Sequence, residues 1–205
     1  MKYHDLKKAL NDFTIFSVKE VRKADPRFHR RRLNEWQERD LIKKVVRGYY
    51  IFSDAKVDEN TLFEIANRIY SPSYVSFEMA LARYQLIPES VYGITSASTR
   101  KTYRFRTPIA DFIYRTIHPR LFFGYDLIRH TGRSFKIASP EKALLDFFYL
   151  HPNIKQEKDF ESLRINGDVF REQVDAEKLN DFLIRFSQKR LTKRIERFLE
   201  YMRHA

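Results

Sequence analysis

The residues in this sequence whose types and spacing suit chemistry are mainly arginines. Arg27, Arg30, Arg31 and Arg32 lie within one short stretch, and Asn34 follows two positions on. Arg and Asn are the side chains that make bidentate contacts with guanine and adenine edges in the major groove. Lys43, Lys44 and Arg47 come soon after. Cations of this kind meet phosphates, contacts that position a protein without reading sequence. The chemistry suggested is recognition of double-stranded DNA. The plainer reading of the same arginines is a solvated helix face.

Other chemistries lack their residues. The glycines at 48, 93, 124, 132 and 167 are too scattered for a phosphate-cradling loop or a dinucleotide fingerprint. Histidines 4, 29, 118, 130, 151 and 204 never fall at a metal-ligand spacing such as HExxH, and cysteine is absent. No serine sits in a nucleophile elbow. Asp54-Ala55-Lys56 has part of a nuclease signature, but no acidic strand precedes it. Ser139-Pro140-Glu141-Lys142, with Asp146 beyond, is explained by helix capping and dipole chemistry rather than catalysis. No enzymatic activity, metal or cofactor is expected.

The net charge is +12, and it is unevenly spread. Residues 1–52 carry fourteen Lys and Arg against seven Asp and Glu; residues 178–205 carry eight against three; the stretch between carries seventeen of each. A basic region concentrated in this way is the electrostatic footprint of a polyanion binder. No run of about eighteen uncharged apolar residues occurs, so no membrane partner is expected. The amino terminus lacks the apolar segment of a secretory signal. With cysteine absent, these features point to a cytoplasmic protein.

The elements that must hold the arginines can be read from periodicity and capping signals. Tyr3 to Leu10 places Leu6, Ala9 and Leu10 on one helical stripe. Ser17 is an N-cap for a short helix through Ala24, with Val18 and Val21 inward. Asp25-Pro26 predicts a third helix running to Glu38, with Asp as N-cap and Pro at the first helical position. On a wheel, His29, Leu33 and Trp36 form its buried arc, and His29 reads as a packing residue. Arg27, Arg30, Arg31 and Asn34 point outward, with Arg32 on the flank. Leu41 to Val46 and Tyr49 to Phe52 then read as a hairpin turning at Arg47-Gly48. Helix, helix, helix, hairpin is the order of a winged helix-turn-helix, with the hairpin as the wing.

Beyond it, Glu59 to Tyr70 is an amphipathic helix with Leu62, Ile65, Ala66 and Ile69 inward, closed by Ser71-Pro72. Ser76 is expected to cap the helix that follows. Short β-type runs span 91–96, 102–107, 111–116, 121–125 and 134–138. The last leads into a helix with Ser139 as N-cap, Pro140 at its first position, and Ala143, Leu144 and Phe147 inward. The fold class expected is α+β. An N-terminal winged helix over 1–55 precedes a mixed C-terminal domain over 56–205 with a short β-sheet and a helical end.

With these stretches in hand, the chain resembles the AbiEi family, antitoxins of type IV toxin–antitoxin (abortive infection) systems. The likeness rests on Val46-Arg47-Gly48-Tyr49-Tyr50, on Tyr74-Val75-Ser76-Phe77-Glu78-Met79-Ala80-Leu81 with Leu86-Ile87-Pro88, and on Ile137-Ala138-Ser139-Pro140-Glu141-Lys142-Ala143-Leu144-Leu145-Asp146. It spans about residues 5–150. It implies a winged helix that represses the antitoxin's own operon, acting on inverted repeats in its promoter. It also implies a C-terminal domain that counteracts a toxin of the nucleotidyltransferase type. The alternatives are a protein-interaction module, or a solitary winged-helix regulator with no toxin partner.

At the carboxyl end, Leu179, Phe182, Leu183 and Phe186 form one helical stripe, and Leu191, Ile195, Phe198, Leu199 and Met202 another. Their offset predicts a break between Ser187 and Lys189. Among them stand Arg185, Lys189, Arg190, Lys193, Arg194 and Arg197. These fit a second DNA-contacting surface, a docking face for an acidic partner, or a solvated helix face.

Overall fold

A computed structural model describes residues 1–88, 92–130 and 132–204 of the chain. The described residues form an α+β structure of ten helices and two sheets.

The first unit runs α1 (Tyr3–Ala9), β1 (Phe16–Ser17), α2 (Val18–Ala24), α3 (Arg31–Glu38), β2 (Ile42–Val46) and β3 (Tyr49–Phe52). Its strands make an antiparallel sheet in the order β1-β3-β2. Ser17 starts α2 through a capping box with Glu20. Gly48 turns the hairpin at φ +91, a backbone conformation that suits glycine. Leu6, Leu10, Phe16, Val21, Phe28, Leu33, Trp36, Ile42, Tyr50 and Phe52 form one apolar cluster. Ala9, expected on the buried stripe of α1, is exposed instead.

The second unit is built on a six-stranded mixed sheet in the order β6-β7-β5-β4-β9-β8. Its strands are β4 (Ser73–Val75), β5 (Ile94–Ser98), β6 (Tyr103–Arg106), β7 (Asp111–Thr116), β8 (Tyr125–His130) and β9 (Arg133–Ala138). The expected strand start at Val91 lies outside the described residues. The run 121–125 is not a strand, because Pro119–Leu121 make a 3-10 turn and β8 begins only at Tyr125. Helix α4 (Glu59–Ile69) packs on β4, β5 and β9. Tyr114 donates from β7 to the Ala66 carbonyl of α4 at 2.7 Å. Helices α5 (Glu78–Arg83) and α6 (Pro140–Leu150) pack together. Tyr74, on the opposite side of the pleat from Val75, bonds to α6.

Helices α7 (Glu157–Leu163), α8 (Gly167–Gln173), α9 (Ala176–Phe186) and α10 (Lys189–His204) complete this unit. The break between α9 and α10 falls at Ser187, in the left-handed region, as the offset stripes predicted. Phe148, Phe160, Phe170 and Phe198 meet where α6, α7, α8 and α10 converge. Arg194 is not free for an outside partner. It donates to the Phe148 carbonyl at 2.9 Å and the His151 carbonyl at 2.8 Å, satisfying the open carbonyl end of α6. Arg185 lies 3.8 Å over the Phe123 ring.

The two units share a seam. Ile15, Val45 and Ile51 belong to the larger apolar cluster although they sit in the first unit. Strand β3 is therefore buried on both faces, which explains the unbroken apolar run Tyr49 to Phe52. Arg68 of α4 pairs with Glu20 of α2 at 2.8 Å and donates to the Ile15 carbonyl. Thr14 donates to Glu64 at 2.6 Å. Arg133 donates to the Asp12 carbonyl at 2.7 Å and lies 4.1 Å over the Phe13 ring.

Candidate nucleic-acid interface

The segment that carries the arginines differs from the wheel in a specific way. Asp25 and Pro26 do not open α3. The Asp25 carboxylate accepts from Arg27 N at 3.0 Å, and Phe28 N donates to the Asp25 carbonyl at 3.0 Å, closing a turn. The chain's amino group adds a 3.1 Å contact to the same carboxylate. That hydrogen bond outweighs the slight burial and holds the Asp25 carboxyl below its ordinary range. Helix α3 then begins at Arg31, five residues later than the Pro signal suggests.

The delay changes which side chain is buried. Phe28, not His29, enters the core, with its ring 5.6 Å from that of Trp36. His29 is exposed. Residues 26–30 lack helical phase, so a 100° wheel rotates them wrongly. Leu33 and Trp36 are buried as expected.

Arg27, Arg30, Arg31 and Asn34 are all exposed. Arg32 is turned back on the chain start, where its guanidinium donates to the Met1 carbonyl. The outward face of α3 is also not purely basic. Glu35 and Glu38 share it, and Arg31 stands 3.9 Å from Glu35. The cations therefore sit at the amino-terminal end of α3 and the acids toward its carboxyl end.

Helix α3 packs on β2. Lys43 and Lys44 are both exposed there. Successive strand residues point to opposite faces, so the two do not form one patch. Lys44 lies across from Tyr50, on the side of the α1–α3 cluster; Lys43 lies across from Ile51, on the side of the larger core. A register shift between Lys44 and Val46 bends the strand before the turn. Arg47 is exposed at that turn.

A second constellation is hidden in the core. Lys142 and Asp146, one helical turn apart on α6, are both fully buried and paired. Lys142 donates to the Tyr74 hydroxyl at 2.7 Å, and Tyr74 and Ser76 donate to Asp146 at 2.8 Å each. The rings of Tyr74, Phe123 and Phe186 stand 5.1–5.3 Å from the ammonium. Burial pushes the Lys142 ammonium below the ordinary lysine range despite the Asp146 carboxylate beside it. Burial pushes Tyr74 well above the ordinary phenol range. The cluster is closed and each member is bonded, so it holds β4 against α6 and offers nothing to a substrate.

One expectation for this region is overturned, Ser76 as a cap, whereas Ser139 does hold the N-cap position of α6 with Pro140 and Glu141 in its first turn. The Ser76 hydroxyl bonds Asp146 and does not cap α5; Phe77 occupies that cap position at φ +60. Ser139 stands at the start of α6, but its hydroxyl donates to Glu141 at 2.6 Å rather than accepting from the backbone. Glu141 is no simple dipole partner, since it also accepts from Asp175 N at 3.0 Å and from Lys178 at 3.0 Å. The signal for a buried pair was Lys and Asp at i and i+4 in a helix that is otherwise apolar after Glu141.

The chain matches no family model and no curated protein. Among the described residues, no group of three or more His, Asp or Glu stands close enough to hold a metal, and no helix is long and apolar enough to cross a membrane.

Proposed function

We propose that this protein is a cytoplasmic DNA-binding autorepressor and the antitoxin of a type IV toxin–antitoxin system, as its resemblance to the AbiEi family implies. In this reading the first unit is a winged helix-turn-helix, α3 its recognition helix and β2–β3 its wing. The observation that carries the reading is the exposed start of α3. Arg30, Arg31 and Asn34 face away from Leu33 and Trp36 there, on a helix packed against a hairpin bearing Lys44 and Arg47. Arg31 and Asn34 are assigned to base edges in the major groove. Arg27, Arg30, Lys44 and Arg47 are assigned to phosphates, with Lys43 on the far face of the wing. The acids toward the end of α3 favour insertion by its amino-terminal end, since Glu35 and Glu38 would repel phosphates.

The test is a salt titration of binding to the DNA upstream of the protein's own gene, beside a scrambled duplex. The expected log–log slope is about −0.9 per phosphate contact, with tighter binding to the upstream fragment. Equal, weak binding to both duplexes would remove the repressor reading. The antitoxin half predicts that co-expression relieves growth arrest by a nucleotidyltransferase-type toxin encoded beside it.

A second reading has one observation in its favour. Because β3 is buried on both faces and α2 is tied to α4, the first unit also serves as packing for the second. A protein-interaction module of that kind would bind no DNA.

A further inference from the structure

We infer that Arg68 and Arg133 are positioning residues for DNA binding: from the second unit they hold the loop between α1 and β1 and, through it, helix α2. The inference rests on the DNA-binding reading above. In that reading α2 is the helix that crosses the DNA backbone ahead of the recognition helix. Lys19, Arg22 and Lys23 are all exposed on it.

The loop spans residues 10–15. Its own unit supplies a hydrogen bond from Phe13 N to the Leu10 carbonyl at 2.9 Å and the packing of Phe13 on the smaller apolar cluster. The second unit supplies more. Arg133, the first residue of β9, donates to the Asp12 carbonyl at 2.7 Å. Its guanidinium lies 4.1 Å over the Phe13 ring, and that of Arg68 stands 5.8 Å from the same ring. Thr14 donates to Glu64 of α4 at 2.6 Å, and Arg68 donates to the Ile15 carbonyl. Ile15 itself is fully buried in the larger cluster.

The hold continues into α2. Glu20 closes the capping box that starts this helix, accepting from Ser17 N at 2.6 Å, and its other oxygen accepts from Arg68 at 2.8 Å. One guanidinium thus ties both the end of the loop and the first turn of α2 to α4. Arg68 and Arg133 also flank the Glu64 carboxylate at 3.8 and 4.0 Å, and that side chain is 5% exposed. Charge-assisted bonds of this kind, shielded from water, are about twice as strong as neutral ones.

Both arginines are turned into the seam, so their effect on DNA is through placement and not contact. Donors to phosphates and base edges must be held to within about 0.5 Å, so a frayed loop costs affinity without removing a contact. Coupling of this sort is reciprocal, which makes the seam the route by which events on the second unit reach DNA.

Hydrogen exchange on the full-length chain tests the hold without DNA. Arg133→Ala should speed exchange of the amides in 11–24 at least about ten-fold and leave those of α6 unchanged. Phe13→Leu, which keeps apolar bulk but removes the ring between the guanidiniums, should act in the same direction. With the upstream duplex, Arg133→Ala should weaken binding about ten-fold at an unchanged salt slope, whereas loss of a phosphate contact flattens the slope by about one unit. Exchange unmoved in 11–24 or raised equally in α6, or a flattened slope, overturns the inference. A wild-type chain that prefers neither duplex removes the DNA reading and the inference with it. A chain that prefers the upstream duplex and loses nothing with Arg133→Ala overturns the positioning role alone.

Discussion

Arg31 and Asn34 differ from Lys44 and Arg47 in the kind of contact each can make, and that difference is measurable. On the proposed reading, Arg31→Ala or Asn34→Ala removes a bidentate base contact worth about 1–3 kcal/mol of discrimination. Each should narrow the gap between upstream and scrambled DNA while leaving the salt slope nearly unchanged. Lys44→Ala or Arg47→Ala should weaken both duplexes alike and flatten the slope by about one unit, read from anisotropy titrations at several salt concentrations. The buried pair behaves differently because no solvent screens it. Asp146→Ala leaves Lys142 buried among three aromatic rings without its carboxylate partner, at a cost of about 3–5 kcal/mol by urea denaturation. Lys142→Met with Asp146→Leu removes both charges and should recover most of that loss.

The segments joining elements carry as much information as the elements themselves. Phe28 occupies the turn before α3 and fills the space beside Trp36. Phe28→Ala should destabilise the chain by about 3–5 kcal/mol, as loss of a buried ring does, while His29→Ala should change thermal stability little. The reverse order would mean that the helix begins at Pro26 after all. Gly124 has a similar role where the chain enters β8. A Cβ there would stand 2.9 Å from the Phe182 ring and 3.1 Å from the Lys142 stem, at φ +69. The close approach of α9 to the buried pair therefore needs a residue without a side chain.

For the molecule as a whole, the seam between the units and the α6–α9 junction make stability depend on acid. Burial raises Glu20, but hydrogen bonds from the Ser17 hydroxyl and backbone, with Arg68 beside it, leave its carboxyl below the ordinary range. Burial likewise raises Glu141, and hydrogen bonds from Ser139, Asp175 N and Lys178 bring it below that range. A carboxyl whose folded pKa is depressed adds stability that is complete above its unfolded value, about 4.3, and is lost as pH falls through the folded value. Melting temperature should hold near neutral pH and drop on acidification below about pH 5. Glu141→Gln should lower the neutral-pH value and flatten that drop in calorimetry at matched salt.

The sequence alone set the local chemistry. Ser17 as a cap, Gly48 at the hairpin turn, strand Asp111–Thr116 and the break at Ser187 are fixed by side-chain hydrogen bonding, backbone sterics and period, which act over a few residues. The exposure of Arg31, Asn34, Lys43, Lys44 and Arg47 was legible for the same reason: exposure of charged residues on short elements follows from residue type and period. Tertiary structure decided the rest. The Asp25-Pro26 signal suits a helix start and a turn equally well, and the contact of the chain's own amino group with Asp25 accompanies the turn. That turn then sent Phe28 inward and left His29 out, while the Met1 carbonyl claimed Arg32. Likewise Lys142 and Asp146 read as part of a capped helix start, and Arg194 as one of several basic side chains open to a partner or to solvent, until distant partners were in place: Tyr74 for the pair, and the carbonyl end of α6 for Arg194. A buried charge costs too much unless partners far along the chain meet it, and periodicity carries no information about them.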